Sequence, residues 1–305
     1  MFAAPRLALG ALITDTSAML RIILGYVGTL SGLVLTFFWG TLAALGYPLG
    51  GQRFAIWCAH MWGRTVLRAG NVLVAVRGGD QLDLSRPHLY VSNHQSGLDI
   101  LVLCGHLPQR VVFVAKKELA RVPFVGWGLK LGGHVLIDRA DRSQSYSALE
   151  AAGAEVRAGK SVIIFPEGTR SPPRELWPFK RGAMMLARAA RVPIVPVGIV
   201  GSAERMKARQ IYTTPGLVGV RIGQPILPED FDDDDHVLIE RVRTEIARLA
   251  GSSAAKVLPA RGPHSRRAVK KDQGAPDEGG SEQPTVDKTG DATELSAEEG
   301  STPVP

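Results

Sequence analysis

The chain has 305 residues, 45% of them hydrophobic, with 36 Lys and Arg against 29 Asp and Glu and only two cysteines. These proportions exclude wholesale disorder, a collagen-like repeat and a disulfide scaffold, and the length admits one large domain or two small ones. The net charge of +7 asks for an anionic partner, and composition leaves nucleic acid, a membrane surface and a phosphorylated substrate all open.

Residues Ile22 to Gln52 carry no charge between Arg21 and Arg53, and the run is most apolar from Ile22 to Leu45. As a helix that segment reaches about 36 Å, enough to cross a bilayer core of about 30 Å with some tilt. Its length, and the long leader before it, argue against a cleaved secretory signal. After Pro48, Phe54, Trp57, Cys58 and Met61 recur at helical spacing with Arg53, His60 and Arg64 on another face, the pattern of an interfacial helix. The sequence thus predicts a membrane-associated helical region over residues 1–70. The flanking charges leave a spanning helix and a hairpin within one leaflet both open.

From residue 71 to 250, short β-rich runs alternate with helical ones. Val72 to Val76, His88 to Ser92, Val111 to Ala115, His134 to Ile137, Val162 to Phe165 and Ile194 to Ile199 read as strands. Helices are expected to begin near Gly97, Phe124, Ser143, Lys180 and Asp235. Such alternation predicts an α/β domain layered on a largely buried central sheet. Cys58 and Cys104 lie in apolar surroundings and read as small buried hydrophobes, neither bridge nor zinc ligands. Residues 251–305 contain no aromatic side chain and few aliphatic ones, so they are expected to form a disordered tail. That tail holds seven Lys and Arg against nine Asp and Glu, which gathers the positive charge in the body.

Two strand ends carry chemistry. Asn93-His94-Gln95-Ser96-Gly97-Leu98-Asp99 follows one strand and enters an apolar helix. In an unbroken helix His94 and Asp99 would be rotated by about 140° from each other, so they meet only if a turn comes first. With His94 on that turn, Asp99 can fix its tautomer and free the other ring nitrogen to accept a proton from an alcohol. There is no GxSxG elbow, and Cys104 sits in an apolar helix, so the activated hydroxyl belongs to a substrate. Structural hydrogen bonding is the alternative role for the pair. Phe165-Pro166-Glu167-Gly168-Thr169-Arg170 ends another strand. Gly168 allows a tight turn, and Thr169 with Arg170 can hold a phosphate, although an ordinary surface turn with Arg170 paired to Glu167 fits the residues too. Lys116, Lys117 and Arg139 add cations at strand ends, where ligands of open α/β sheets bind. Asp230 and Asp232 to Asp235 precede a helix and read as caps, since they lack the glycine and terminal glutamate of a calcium loop. No basic helical stripe points to nucleic acid.

The chain resembles the glycerolipid acyltransferase family in four blocks that occur in order: NHQSGLD (Asn93 to Asp99), KKELARVPFVGWGLKLGGHVLIDR (Lys116 to Arg139), FPEGTR (Phe165 to Arg170) and VPIVPVGI (Val192 to Ile199). The resemblance covers roughly residues 20 to 250 and implies membrane-associated N-terminal helices followed by an α/β acyltransferase domain. It implies that His94 is the general base and Asp99 its orienting partner. Glu167, Gly168, Thr169 and Arg170 would form the acceptor's phosphate site, with Lys116 and Arg139 adding charge. The implied reaction is 1-acylglycerol-3-phosphate acylation. A fatty acyl group passes from acyl-CoA or acyl carrier protein to the sn-2 hydroxyl of lysophosphatidate, without metal or cofactor, at the cytoplasmic face of the inner membrane. Glycerol 3-phosphate, another lysophospholipid or a lyso-aminolipid as acceptor, and a non-catalytic lipid-binding protein, are the alternatives.

Overall fold

The β-rich runs, joined by one that glycine disguises, form a seven-stranded sheet in the order β1-β7-β6-β2-β5-β3-β4. The strands are β1 (Val72–Arg77), β2 (Leu89–Ser92), β3 (Val111–Lys116), β4 (Val135–Ile137), β5 (Ser161–Ile164), β6 (Ile194–Val200) and β7 (Gly216–Ile222). The computed structural model describes residues 5–138, 142–208, 210–231 and 234–252; Arg139, Asp232, Asp233 and the tail from 253 lie outside them. The strand pairs are parallel except β6 with β7, which run antiparallel. Sequence patterning misses β7 because Gly216 and Gly219 dilute its Leu, Val and Ile.

Helices cover both faces, as a mostly parallel sheet requires. They are α1 (Pro5–Ala69), α2 (Leu98–His106), α3 (Val125–Leu131), α4 (Arg142–Arg157), α5 (Gly182–Ala190), α6 (Ser202–Arg205) and α7 (Asp235–Ala250). On one face Leu89 and Val91 of β2 pack with Ala152, Met184, Leu238 and Val242 of α4, α5 and α7. On the other, Tyr90 packs with Leu67 of α1 and with Val102 and Leu103 of α2. The alternation along β2 is the period-2 pleat made visible. Asp234 caps α7 by accepting the backbone N–H groups of His236 and Val237, which is the capping role expected of the acidic run.

The N-terminal helix α1 is broken at Gly51, whose φ of 55° and ψ of −153° lie outside the helical region. The chain reverses there, and residues 52–69 return antiparallel to residues 5–50. Reciprocal hydrogen bonds tie the limbs, Trp39 Nε1 donating to Thr65 Oγ1 and Trp62 Nε1 to Thr36 Oγ1, both at 2.9 Å. The first limb leaves Leu30, Leu33, Val34, Phe37 and Phe38 exposed, and by length and composition Ile22–Ala69 could cross a membrane.

The second limb differs from the interfacial helix expected of Arg53 to Arg68, because its polar edge is used inside the protein. The ring N–H at Nδ1 of His60 donates to the carbonyl of Cys104, and Arg64 Nε donates to that of Gly105. Both acceptors belong to the last turn of α2, where carbonyls lack helical partners. Gly63 makes this approach feasible: a Cβ there would lie 2.6 Å from the Leu101 carbonyl oxygen and 2.9 Å from the Gly105 nitrogen.

Gly63→Leu would therefore push the limb off α2. We expect a loss of about 1–3 kcal/mol of stability, read as a lower Tm of the detergent-solubilised protein, whereas an unchanged Tm would show that the two helices are not in register here.

Candidate functional site

The site is assembled from the turns that follow β2 and β5, adjacent parallel strands. Asn93 anchors the first turn to β6: its Nδ2 donates to the Ile199 carbonyl and its Oδ1 accepts the Ile199 N–H, at 3.0 and 2.8 Å. The next residue, His94, then projects its ring over Phe165, with centroids 4.2 Å apart and planes 20° apart. Its Nδ1 lies 2.9 Å from Oδ2 of Asp99, which stands in the first turn of α2.

The same Oδ2 accepts the backbone N–H groups of Gln95 and Ser96, at 2.7 and 2.8 Å. Three donors thus converge on one oxygen of a carboxylate that is 0% exposed, while the His94 side chain keeps 13% of its surface. Asp99 Oδ1 is buried and accepts no bond from any described residue. Because the carboxylate can only accept, Nδ1 carries a proton and Nε2 presents its lone pair.

Glu167, expected in the acceptor's phosphate site, turns its carboxylate toward backbone N–H groups. It is buried, with Oε1 accepting the His94 N–H and Oε2 the Trp177 N–H, each at 2.7 Å. The carboxylate therefore locks the two turns to each other. Burial pushes its pKa up to about 7, outweighing the hydrogen bonds from Trp177, His94 and Ser171 that favour the charged form. Ser171 adds a second tie, its N–H and hydroxyl both donating to the His94 carbonyl.

Gly168 adopts φ +70°, the left-handed conformation that favours glycine, and carries the chain to the exposed Thr169 and Arg170. The Arg170 guanidinium leans toward α2, with Nη1 4.0 Å from the point where a Cβ on Gly97 would sit. Lys116 ends β3 with its ammonium 3.0 Å from Glu118, so its charge is partly answered within the protein. Arg139 lies outside the described residues.

Next to His94 opens a cavity of about 480 Å³, walled by both limbs of α1, by α2, β3 and α3. Trp39, Ala43, Leu101, Phe124 and Leu129 make its lining largely apolar, with His94, Lys116, His134 and Arg170 among the polar groups beside them. Cys104 also lines it, but burial holds its thiol up to about 12 and its Sγ donates to the Ala59 carbonyl, so it offers no thiolate. No cluster of His, Cys, Asp and Glu suited to a metal occurs among the described residues. Sequence reasoning assigned no role to Asn93, Trp177 or the wall of α1. The Asn93 pairing had a local signal in its place at a strand end, whereas the others are set only by tertiary contact.

A sequence model of the family described as Acyltransferase matches residues 73–200. The 1-acyl-sn-glycerol-3-phosphate acyltransferase of Saccharomyces cerevisiae is 33% identical over 65% of this chain and 66% of its own. That of Cocos nucifera is 31% identical over 67% of each chain, and the alpha enzyme of Mus musculus is 37% identical over 54% of this chain and 58% of its own. The chain thus spans about 58–67% of these relatives. The crystal structure of the 1-acyl-sn-glycerophosphate acyltransferase PlsC from Thermotoga maritima aligns with a TM-score of 0.67 and 28% identity, covering 76% of this chain and 96% of that one.

The raised pKa of Glu167 has a signed consequence. Between its ordinary 4.5 and about 7 the native protein holds a proton that the unfolded chain releases, so this contribution is full below pH 4.5 and is lost as pH rises through 7. Glu167→Gln has no such titration. The stability advantage of wild type over Glu167→Gln should shrink by up to about 3 kcal/mol from pH 4.5 to 7.5, measured by denaturant unfolding; a constant difference would contradict the burial argument.

Proposed function

Because the chain belongs to the glycerolipid acyltransferase family, we propose that it transfers a fatty acyl group from acyl-CoA or acyl carrier protein to the sn-2 hydroxyl of lysophosphatidate, giving phosphatidate. The observation that carries this reading is the His94–Asp99 pair opening onto an apolar cavity with Arg170 beside it. An acyl chain suits the cavity, and a phosphate suits the guanidinium.

In the proposed reaction the substrate hydroxyl approaches His94 Nε2. As its oxygen attacks the thioester carbonyl carbon, the proton passes to the imidazole, and Asp99 stabilises the imidazolium through Nδ1–H. The tetrahedral intermediate collapses, the new C–O bond remains, and the C–S bond breaks. The departing thiolate takes the proton back. Such a transfer between two substrates needs no protein nucleophile and no resident cofactor.

The exposed apolar side chains of the first limb support seating in a membrane. We place the enzyme on the cytoplasmic face of the inner membrane, where a lipid acceptor meets a soluble thioester. The positive body favours an anionic lipid surface.

His94→Ala should abolish turnover while leaving vesicle association intact. Arg170→Ala should chiefly raise the KM for lysophosphatidate, by a transition-state loss of about 2–3 kcal/mol in kcat/KM. Steady-state rates with labelled acyl-CoA, against lysophosphatidate, glycerol 3-phosphate and lysophosphatidylcholine in parallel, check both. Residual activity in His94→Ala, or product from lysophosphatidylcholine alone, would overturn the reading.

A further inference from the structure

The Gly168 turn carries a second cation that the four sequence blocks leave out. Lys180 follows the turn by twelve residues and is brought back to it by its own N–H, which donates to the Pro166 carbonyl at 2.9 Å. Its side chain then lies across Gly168. A Cβ on Gly168 would meet Lys180 Nζ at 2.8 Å, Cε at 2.9 Å and Cδ at 3.4 Å. Glycine at this position thus does two things. It takes the left-handed φ of +70°, and it leaves the space through which the lysine stem passes.

Lysine side chains on a surface usually wander in solvent, because fixing four torsions costs entropy. Here the stem has a seat. Lys180 as a whole is exposed, and its ammonium has no ion-pair partner among the described residues. Lys116, by contrast, is answered by Glu118, and Lys117 by Asp138. The Cα of Arg170 is at most about 7.6 Å from that of Gly168, and Arg170 too lacks an ion-pair partner among the described residues. Among the described residues, therefore, two cations without an ion-pair partner flank one turn.

Resting on the acyl-transfer reading above, we propose that Lys180 is a specificity-determining residue that, together with Arg170, binds a phosphate monoester as its dianion. A single guanidinium satisfies one negative charge equally well on a monoester or a diester. A second, separately positioned cation favours the group that carries two. The second ionisation of a phosphate monoester lies near pH 6, so the advantage grows as pH rises through that value. The monoester can come from the acceptor's headgroup or from the 3′-phosphate of the acyl-CoA donor, and the two sources separate experimentally.

The test uses the full-length, detergent-solubilised protein as wild type, Lys180→Gln and Lys180→Arg, with Tm recorded for each. Binding of lysophosphatidate and of lysophosphatidylcholine is measured first, since it needs no turnover. We expect Lys180→Gln to weaken lysophosphatidate about tenfold at pH 7.5, with a smaller effect at pH 5.5 and none on lysophosphatidylcholine, and Lys180→Arg to restore most of it. In turnover, KM for lysophosphatidate should rise while kcat stays within about twofold. If instead KM rises for acyl-CoA but not for acyl-dephospho-CoA, the dianion held is the donor's. Equal binding and equal KM in wild type and Lys180→Gln, or a loss common to both lysolipids at both pH values, would overturn the proposal. Absence of turnover by the wild type with lysophosphatidate bound would defeat the acyl-transfer reading and leave the binding result to judge Lys180.

Discussion

Everything at this site depends on one buried oxygen, Oδ2 of Asp99. It must be out of water to hold His94 strongly, and a buried carboxylate is tolerated only when donors surround it. The chain supplies them by folding residues 93–97 back over the start of α2, so that two backbone N–H groups and the imidazole converge. The first turn of a helix is also where a negative charge is favoured by the unpaired N–H groups. A helix that began earlier would separate the pair, and a looser turn would hydrate the carboxylate.

That fold-back is held in place by much of the surrounding structure. Asn93 fixes its start to β6, Ser96 Oγ donates to the Met206 carbonyl, and Gln95 reaches the carbonyls of Pro172 and Glu175. Glu167 then ties the His94 turn to the β5 turn through backbone bonds. The exposed residues Thr169 and Arg170, which follow Glu167 on the same turn, inherit their position from this lock. The N-terminal hairpin completes the arrangement from the other side, closing an apolar cavity beside the imidazole and burying its own polar edge on the end of α2. An apolar chain and a charged headgroup can thus be received next to one base.

Much of this was legible in the sequence. Dense Val and Ile runs marked six strands, and the five helix starts expected near Gly97, Phe124, Ser143, Lys180 and Asp235 correspond to α2, α3, α4, α5 and α7. The requirement for a turn between His94 and Asp99 followed from helical geometry alone. What escaped was tertiary. Strand β7 pairs antiparallel with β6 despite its glycines because both neighbours offer register. Amphipathic spacing over Arg53 to Arg68 could not distinguish an interface with lipid from one with α2. Nor could position in a motif tell that Glu167 faces inward to backbone N–H groups, while Lys180, beyond the motif, folds back across Gly168.

The central claim is that His94 acts on the substrate's hydroxyl, with no acyl group ever resident on the protein. Initial rates measured over a grid of acyl-CoA and lysophosphatidate concentrations test it directly. Direct transfer predicts double-reciprocal lines that intersect and no acylated protein by intact-mass spectrometry after incubation with acyl-CoA alone. Parallel lines, together with a stoichiometric acyl adduct that lysophosphatidate discharges, would contradict the account.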